Sequence, residues 1–137
     1  ITRIDVVDYD FQGYWEKSGW SDEAVVKTMS KITTLQRTQA LGETPVGGVA
    51  YAGDRRIKEV QYSVDGGKTW QQAEVKPALG PFTWVLWAAV WKPAGPGEYT
   101  VEVRAKDGGG VLQTAKETPT LPDGASGYHT LRVRVRK

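Results

Sequence analysis

Residues 57–75 read IKEVQYSVDGGKTWQQAEV and contain two short strand patterns on either side of a glycine-rich turn. In the first pattern, Val60, Tyr62 and Val64 alternate with polar residues, which is the period of a strand with one buried face. The two adjacent glycines after Asp65 accept the positive φ angles that a tight hairpin requires. The stretch therefore predicts a β-hairpin.

Strand patterns continue on both sides of this hairpin. Residues 98–106 and 129–135 alternate in the same way, and residues 31–39 and 46–52 are rich in residues that favour strands. The only helical signal is Ser21, which is suited to cap one short helical turn. We expect that turn to run through Lys27. About seven short strands separated by Gly, Pro and Asp turns predict an all-β, immunoglobulin-like (E-set) Greek-key sandwich.

An extended leader precedes the predicted sandwich. Residues 5–20 are aromatic and acidic, without a sustained helical or strand period. We place this leader at residues 1–30 and the sandwich at residues 31–137. Because the sequence begins at Ile1 without Met, we expect it to be a fragment or a processed chain.

The run from Phe82 to Trp91 is apolar at both its odd and its even positions. A sandwich buries only one face of each strand, so the second face requires another cover. We assign the odd positions to the outer face and predict Val85, Trp87 and Trp91 as interface contacts. Either a second copy of the chain or the leader at residues 5–20 would provide the cover.

Composition excludes several classes of function. The formal net charge is only +2, which is too small for a nucleic-acid-binding domain, and no apolar run is long enough to span a membrane. The chain has no cysteine and a single histidine, His129, so neither a metal site nor a catalytic triad is expected. We interpret His129 as a structural residue.

The hairpin also matches the Ser-x-Asp-x-Gly-x-Thr-Trp pattern called an Asp box. In such hairpins the Asp and hydroxyl side chains bind turn amides and the Trp packs under the loop, so a structural role is expected. Together with exposed tryptophans, the box also leaves open a carbohydrate- or adhesin-type binding module. The residues of the predicted box are Ser63, Asp65, Gly67, Thr69 and Trp70.

Several motifs, in order, resemble the C-terminal dimerisation domain of the sulfite-oxidase-like molybdopterin oxidoreductases. The hairpin is similar to a Ser-x-Asp-Gly-Gly-x-Thr-Trp hairpin of that family, and residues 84–87 are similar to its Trp-x-Leu-Trp strand. Residues 10–14 resemble the Asp-Tyr-Lys-Gly-Phe segment by which those enzymes leave the molybdopterin domain. Further similar motifs are Ala50–Gly53, Pro96-Gly97, Val103–Asp107 with Gln113, and Tyr128-His129.

The resemblance implies a structural domain of a larger molybdenum oxidoreductase. It implies a homodimer, an upstream molybdopterin domain of the same protein, and a periplasmic rather than cytoplasmic location. This chain would bind no cofactor and catalyse nothing alone. Phe11 stands where the family has an active-site tyrosine, and residues 118–122 lack the arginine that helps to bind sulfite. We therefore expect a parent substrate other than sulfite.

Overall fold

Alternating apolar residues and glycine-rich turns produce nine strands in the computed structural model, which describes residues 1–137. The only α-helix, α1, is a single turn at Tyr14–Lys17, and a short 3-10 turn covers Gly53–Arg55. The strands are β1 (Met29–Ile32), β2 (Thr38–Ala40), β3 (Thr44–Tyr51), β4 (Ile57–Ser63), β5 (Gln71–Gln72), β6 (Glu74–Val75), β7 (Val85–Trp91), β8 (Gly97–Asp107) and β9 (His129–Arg136).

The strands form two sheets that pack face to face. The first sheet has the order β1-β3-β7-β6, and the second has the order β2-β9-β8-β4-β5. All neighbouring strands are antiparallel except β2 and β9, which are parallel. The chain crosses between the sheets several times, as it does from β3 to β4. The predicted all-β, immunoglobulin-like sandwich is confirmed.

The core lies between the sheets and is built from the alternating positions of the long strands. In β4, Val60 and Tyr62 are buried, and in β9 Val133 and Val135 are buried, as the alternation predicts. Burying a Val or Leu side chain contributes roughly 1.5–3 kcal/mol to folding. The remaining core members are Ile32, Val46, Ala50, Ala73, Val85, Trp87, Trp91, Val101, Val103 and Ala105.

Two local predictions are wrong. The helical turn predicted from Ser21 to Lys27 is absent, and Ala24 has a positive φ of 46°, which is not helical. The segment instead forms hydrogen bonds with a distant loop of the sandwich. The strand predicted over residues 31–39 is divided into β1 and β2. The chain passes from the first sheet to the second between β1 and β2. In this connection, the Thr34 hydroxyl donates to the carbonyl oxygens of Pro45 and Gly47.

The hairpin joins β4 to β5, with Gln61 opposite Gln72. The strand predicted after the turn is itself divided, because β6 leaves the second sheet and pairs with β7 in the first. No helix in the structure has the length and apolar character needed to cross a lipid bilayer.

Candidate dimerisation surface

Strand β7 directs its three odd-numbered bulky residues into the core. Val85, Trp87 and Trp91 are only 4%, 2% and 4% exposed, so the prediction that they lie on the outer face is wrong. The indole Nε1 of Trp87 donates to the carbonyl oxygen of Val49 at 3.2 Å, and Trp91 packs edge to face on Tyr99. Periodicity shows that both faces of this strand are apolar, but it does not show which face turns inward.

The even-numbered residues of the same run lie on the outer face. Trp84, Leu86 and Val90 are 66%, 49% and 64% exposed. The strand register places Leu86 opposite Val49 and Val90 opposite Pro45, so β3 and β7 share one apolar surface. We call this surface the apolar face; its members are Pro45, Val49, Tyr51, Trp84, Leu86, Ala88 and Val90.

The loop before β7 extends the apolar face at one end. Leu79 and Phe82 are 97% and 69% exposed, although both are large apolar residues. With Tyr51, Thr83 and Trp84 they line an open hollow with mostly apolar walls. Side chains of this kind are typical anchors of protein interfaces when they cluster on one surface.

The outer face of the second sheet is polar, in contrast. Arg134 binds Glu98 across β8 and β9, with its Nε 3.1 Å from the carboxylate oxygen. The Lys106 ammonium lies 2.7 Å from the Glu59 carboxylate on β4. Cross-strand pairs of opposite charge suit a solvated sheet face. The two outer sheet faces therefore differ in chemistry.

The Asp-box residues bind one another and the turn. The Ser63 hydroxyl accepts from the Gly67 amide at 2.9 Å, and the Asp65 carboxylate accepts from the Thr69 hydroxyl and from the amides of Lys68 and Thr69. These hydrogen bonds, the Thr69 hydroxyl first, hold the pKa of the Asp65 carboxyl far below its usual value. The arrangement stabilises the turn.

Trp70 is also engaged within the domain. Its Nε1 donates to the Gly67 carbonyl oxygen at 3.0 Å, and the Arg104 guanidinium stacks 3.9 Å from its ring centroid. The Tyr128 ring packs edge to face against the Trp70 ring, with 5.5 Å between the ring centroids. The ring is thus committed to packing, which does not favour the carbohydrate-binding alternative.

His129 joins the two sheets. Its Nδ1 accepts from the backbone amide of Ile32 at 3.2 Å. Burial, followed by the nearby Lys31 ammonium, lowers the pKa of this imidazole below 6.5. The lowered pKa favours the neutral imidazole, which is the form whose Nδ1 can accept the Ile32 hydrogen bond.

The leader does not cover the apolar face. Residues 1–12 are exposed throughout, and so are the outward residues of β7. Phe11, the predicted counterpart of a family tyrosine, is exposed beside Tyr9 and has the Lys17 ammonium 5.7 Å from its ring centroid. Its correspondence to an active-site tyrosine stays a prediction.

Comparison with protein families matches residues 20–135 to the Mo-co oxidoreductase dimerisation domain. The chain belongs to this family. The match confirms the predicted resemblance and gives the chain the structural role of a dimerisation domain. Comparison with curated proteins gives no match.

Comparison with solved structures gives matches that include a natural enzyme and an engineered protein. The chain is 22% identical to part of the sulfane dehydrogenase SoxCD from Paracoccus pantotrophus, with a TM-score of 0.65 over 82% of this chain and 33% of that one. An engineered protein is 17% identical with a TM-score of 0.45, covering 81% of this chain and 20% of its own. The dimerisation domain therefore spans about a third of the length of the SoxCD chain that it matches.

The residues of this domain do not form a molybdenum site. No group of three or more His, Cys, Asp or Glu side chains lies close enough together to hold a metal ion. The chain contains no thiol, and the Nδ1 of its one imidazole is already bound to a backbone amide. These side chains therefore do not fit a molybdenum ion.

Proposed function

We propose that this dimerisation domain pairs with a second copy of itself through the apolar face. The observation that carries the proposal is the contrast between the outer sheet faces. Trp84, just before β7, and Leu86 and Val90 within it are exposed, whereas β8 and β9 expose ion pairs. Membership of a family described by dimerisation supports the choice of a second copy as the occupant.

A symmetric pair suits this surface. In an isologous dimer the same patch is used on both subunits, so the apolar strip along β3 and β7 can meet its own copy. Lys31 on β1 and Glu74 on β6 border this strip. A specific interface of standard size buries about 800 Å² on each partner. The exposed aromatic side chains of the face, Trp84 and Phe82, are the expected anchors, because aromatic residues carry much of the binding energy of protein interfaces.

We further propose that the domain is part of a molybdopterin-dependent oxidoreductase whose cofactor is bound by an upstream domain. The family description supports the cofactor class, and the SoxCD chain, three times as long as the matched part, supports additional domains. Residues 1–30 would then connect the two parts, in a periplasmic protein. Phe11 lacks the tyrosine hydroxyl and residues 118–122 lack an arginine, which supports a substrate other than sulfite.

Sedimentation velocity of the chain and of Trp84→Ala tests the pairing. We expect a dimer whose dissociation constant rises about tenfold or more in the variant, because an interface anchor typically contributes more than about 1.4 kcal/mol. Arg134→Ala, on the outer face of the second sheet, is the matched control and should leave the constant unchanged. A strict monomer at high concentration, or a dimer weakened only by Arg134→Ala, would contradict the proposal.

A further inference from the structure

Residues 21–28 lie against the loops of the sandwich as an irregular segment, which we call the strap. At one end of the strap, the Ser21 amide donates to the Pro122 carbonyl oxygen at 3.1 Å. Near its other end, the Lys27 ammonium donates to the Gly124 carbonyl oxygen at 2.7 Å. Between these points, Val26 packs against Gly53, where an added Cβ would lie 3.4 Å from the Val26 Cβ. The strap is therefore attached to two separate loops.

Arg55 ties the strap to the core. Its Nη2 donates to the Val26 carbonyl oxygen at 2.8 Å and lies 3.4 Å from the Thr28 hydroxyl. Its Nε donates to the carboxylate of Asp107 at 3.1 Å. One guanidinium thus bonds to the strap and to the end of β8 at the same time.

Asp107 is a rigid anchor for this guanidinium. It is 2% exposed, and its carboxylate also accepts from the Val111 amide at 2.9 Å. The Gly108 amide donates to the carbonyl oxygen of Arg55, which fixes the backbone of the 3-10 turn beside it. Charge-assisted hydrogen bonds with a buried partner are among the stronger polar contacts in proteins. The position of Arg55 is therefore determined by the core, not by the strap.

We propose that Arg55 is a positioning residue that latches the strap to the sandwich and so sets where the leader leaves the domain. Without the guanidinium, the Val26 carbonyl oxygen has no hydrogen-bond partner on the sandwich. The strap then keeps only the hydrogen bonds of Ser21 and Lys27 to the loop at residues 122–124, so it leaves the surface more readily. The latch also helps to fix the edge of the apolar face. Thr28 precedes Met29, and Met29 of β1 lies opposite Tyr51, which is a member of that face. Only this second effect rests on the proposed dimerisation.

Limited proteolysis with trypsin tests the latch. Lys17 precedes the strap and Lys27 lies within it, so cleavage after Lys17 serves as the internal reference. In the unmodified chain we expect cleavage after Lys27 to be at least about tenfold slower than after Lys17, because cleavage requires the segment to leave the sandwich. In Arg55→Gln this difference should disappear while the thermal unfolding transition remains cooperative.

Two further variants make the result specific. Arg56→Gln changes the neighbouring arginine, whose side chain makes no hydrogen bond to the strap, and should leave Lys27 protected. Arg55→Lys keeps the charge but lacks the fork that reaches both Asp107 and Val26, so it should release the strap without leaving Asp107 buried beside an uncharged residue. Lys27 that stays protected in both Arg55 variants would overturn the latch.

The oligomeric state of the same samples separates the two proposals. If the unmodified chain is monomeric and Arg55→Gln still exposes Lys27, the latch holds and the proposed dimerisation fails. If the chain forms dimers and Lys27 is cleaved as fast as Lys17, the latch fails and the dimerisation holds. Repeating the digestion in the Trp84→Ala background should give the same protection of Lys27, because none of the latch contacts involves the apolar face.

Discussion

His129 supplies an uncharged acceptor between the two sheets. Its Nδ1 binds the Ile32 amide of β1, although the residue itself belongs to β9. Protonation would place a second N–H against that amide and a positive charge near Lys31. The side chain that sequence analysis assigned to a structural role thus has a defined partner, which a lone histidine in a sequence does not reveal.

The domain should lose stability as the pH falls through the histidine range. The folded state lowers the pKa of His129 below 6.5, so the unfolded chain binds more protons there and stability falls as the pH decreases through about 6.5. Urea unfolding at pH 7.5 and 5.5 measures the change. His129→Asn retains a hydrogen-bond acceptor but has no titrating group, so it should remove most of the difference in unfolding free energy between the two pH values. An equal loss of unfolding free energy between pH 7.5 and 5.5 in both proteins would contradict the role given to His129.

Gln113 connects three parts of the chain from a buried position. Its Oε1 accepts from the Ser30 hydroxyl at 2.7 Å and from the Ala105 amide at 3.1 Å, and its Nε2 donates to the Gly127 carbonyl oxygen at 2.8 Å. These contacts attach β1 and the segment before β9 to β8. Sequence patterns do not reveal such a role, because Gln113 lies outside the strands.

Gln113→Ala should destabilise the domain by about 2–4 kcal/mol, since it leaves several buried polar groups without partners. Chemical denaturation gives the free energy of unfolding directly. Gln72→Ala removes an exposed amide of the same type from β5 and should change stability by no more than about 0.5 kcal/mol. Similar effects from both substitutions would rule out the connecting role of Gln113.

At the scale of elements, the tryptophans in and just before β7 have two different tasks. Trp87 fills the core and Trp84, just before the strand, faces outward. Trp87→Ala should therefore lower the free energy of unfolding by about 3–5 kcal/mol, as truncation of a buried aromatic residue does. Trp84→Ala should change it by no more than about 0.5 kcal/mol.

These two unfolding experiments belong at a concentration where the chain is monomeric, because dimerisation adds to apparent stability. The comparison also checks the orientation of β7 itself. A large loss of monomer stability in Trp84→Ala together with a small one in Trp87→Ala would mean that the strand faces the other way, as its sequence alone allowed.

The hairpin of β4 and β5 shows where local sequence is sufficient to predict structure, and the strap at residues 21–28 shows where it is not. The hairpin was predictable because Asp65, the two glycines and Thr69 satisfy the turn by themselves. The strap was predicted as a helical turn because its bonding partners, Pro122, Gly124 and Arg55, are distant in sequence. Local patterns cannot anticipate contacts of that kind.

At the scale of the whole molecule, the two outer sheet faces differ in chemistry. The first sheet presents the apolar face, and the second presents ion pairs such as Glu98 with Arg134. Because apolar contacts gain little from electrostatic attraction, a dimer through the apolar face and one through the charged face should respond differently to ionic strength.

The dimer should be insensitive to salt. Between about 0.05 M and 0.5 M NaCl, where screening lengths fall severalfold, we expect the dissociation constant to rise by less than about twofold. Sedimentation equilibrium across this range measures it. A dimer that weakens strongly as salt is added would indicate that the charged outer face of the second sheet forms the contact instead.

The sequence by itself determined the long strands of the sandwich, the hairpin, the family and the excess of apolar surface along residues 82–91. Each of these depends on short-range periodicity or on a local motif. Only the tertiary structure decided that Trp87 and Trp91 turn inward while Trp84, Leu86 and Val90 turn outward, and that Arg55 holds the strap. These outcomes depend on which distant strand or loop lies alongside, since a strand with two apolar faces fits a core in either orientation until its neighbours are in place.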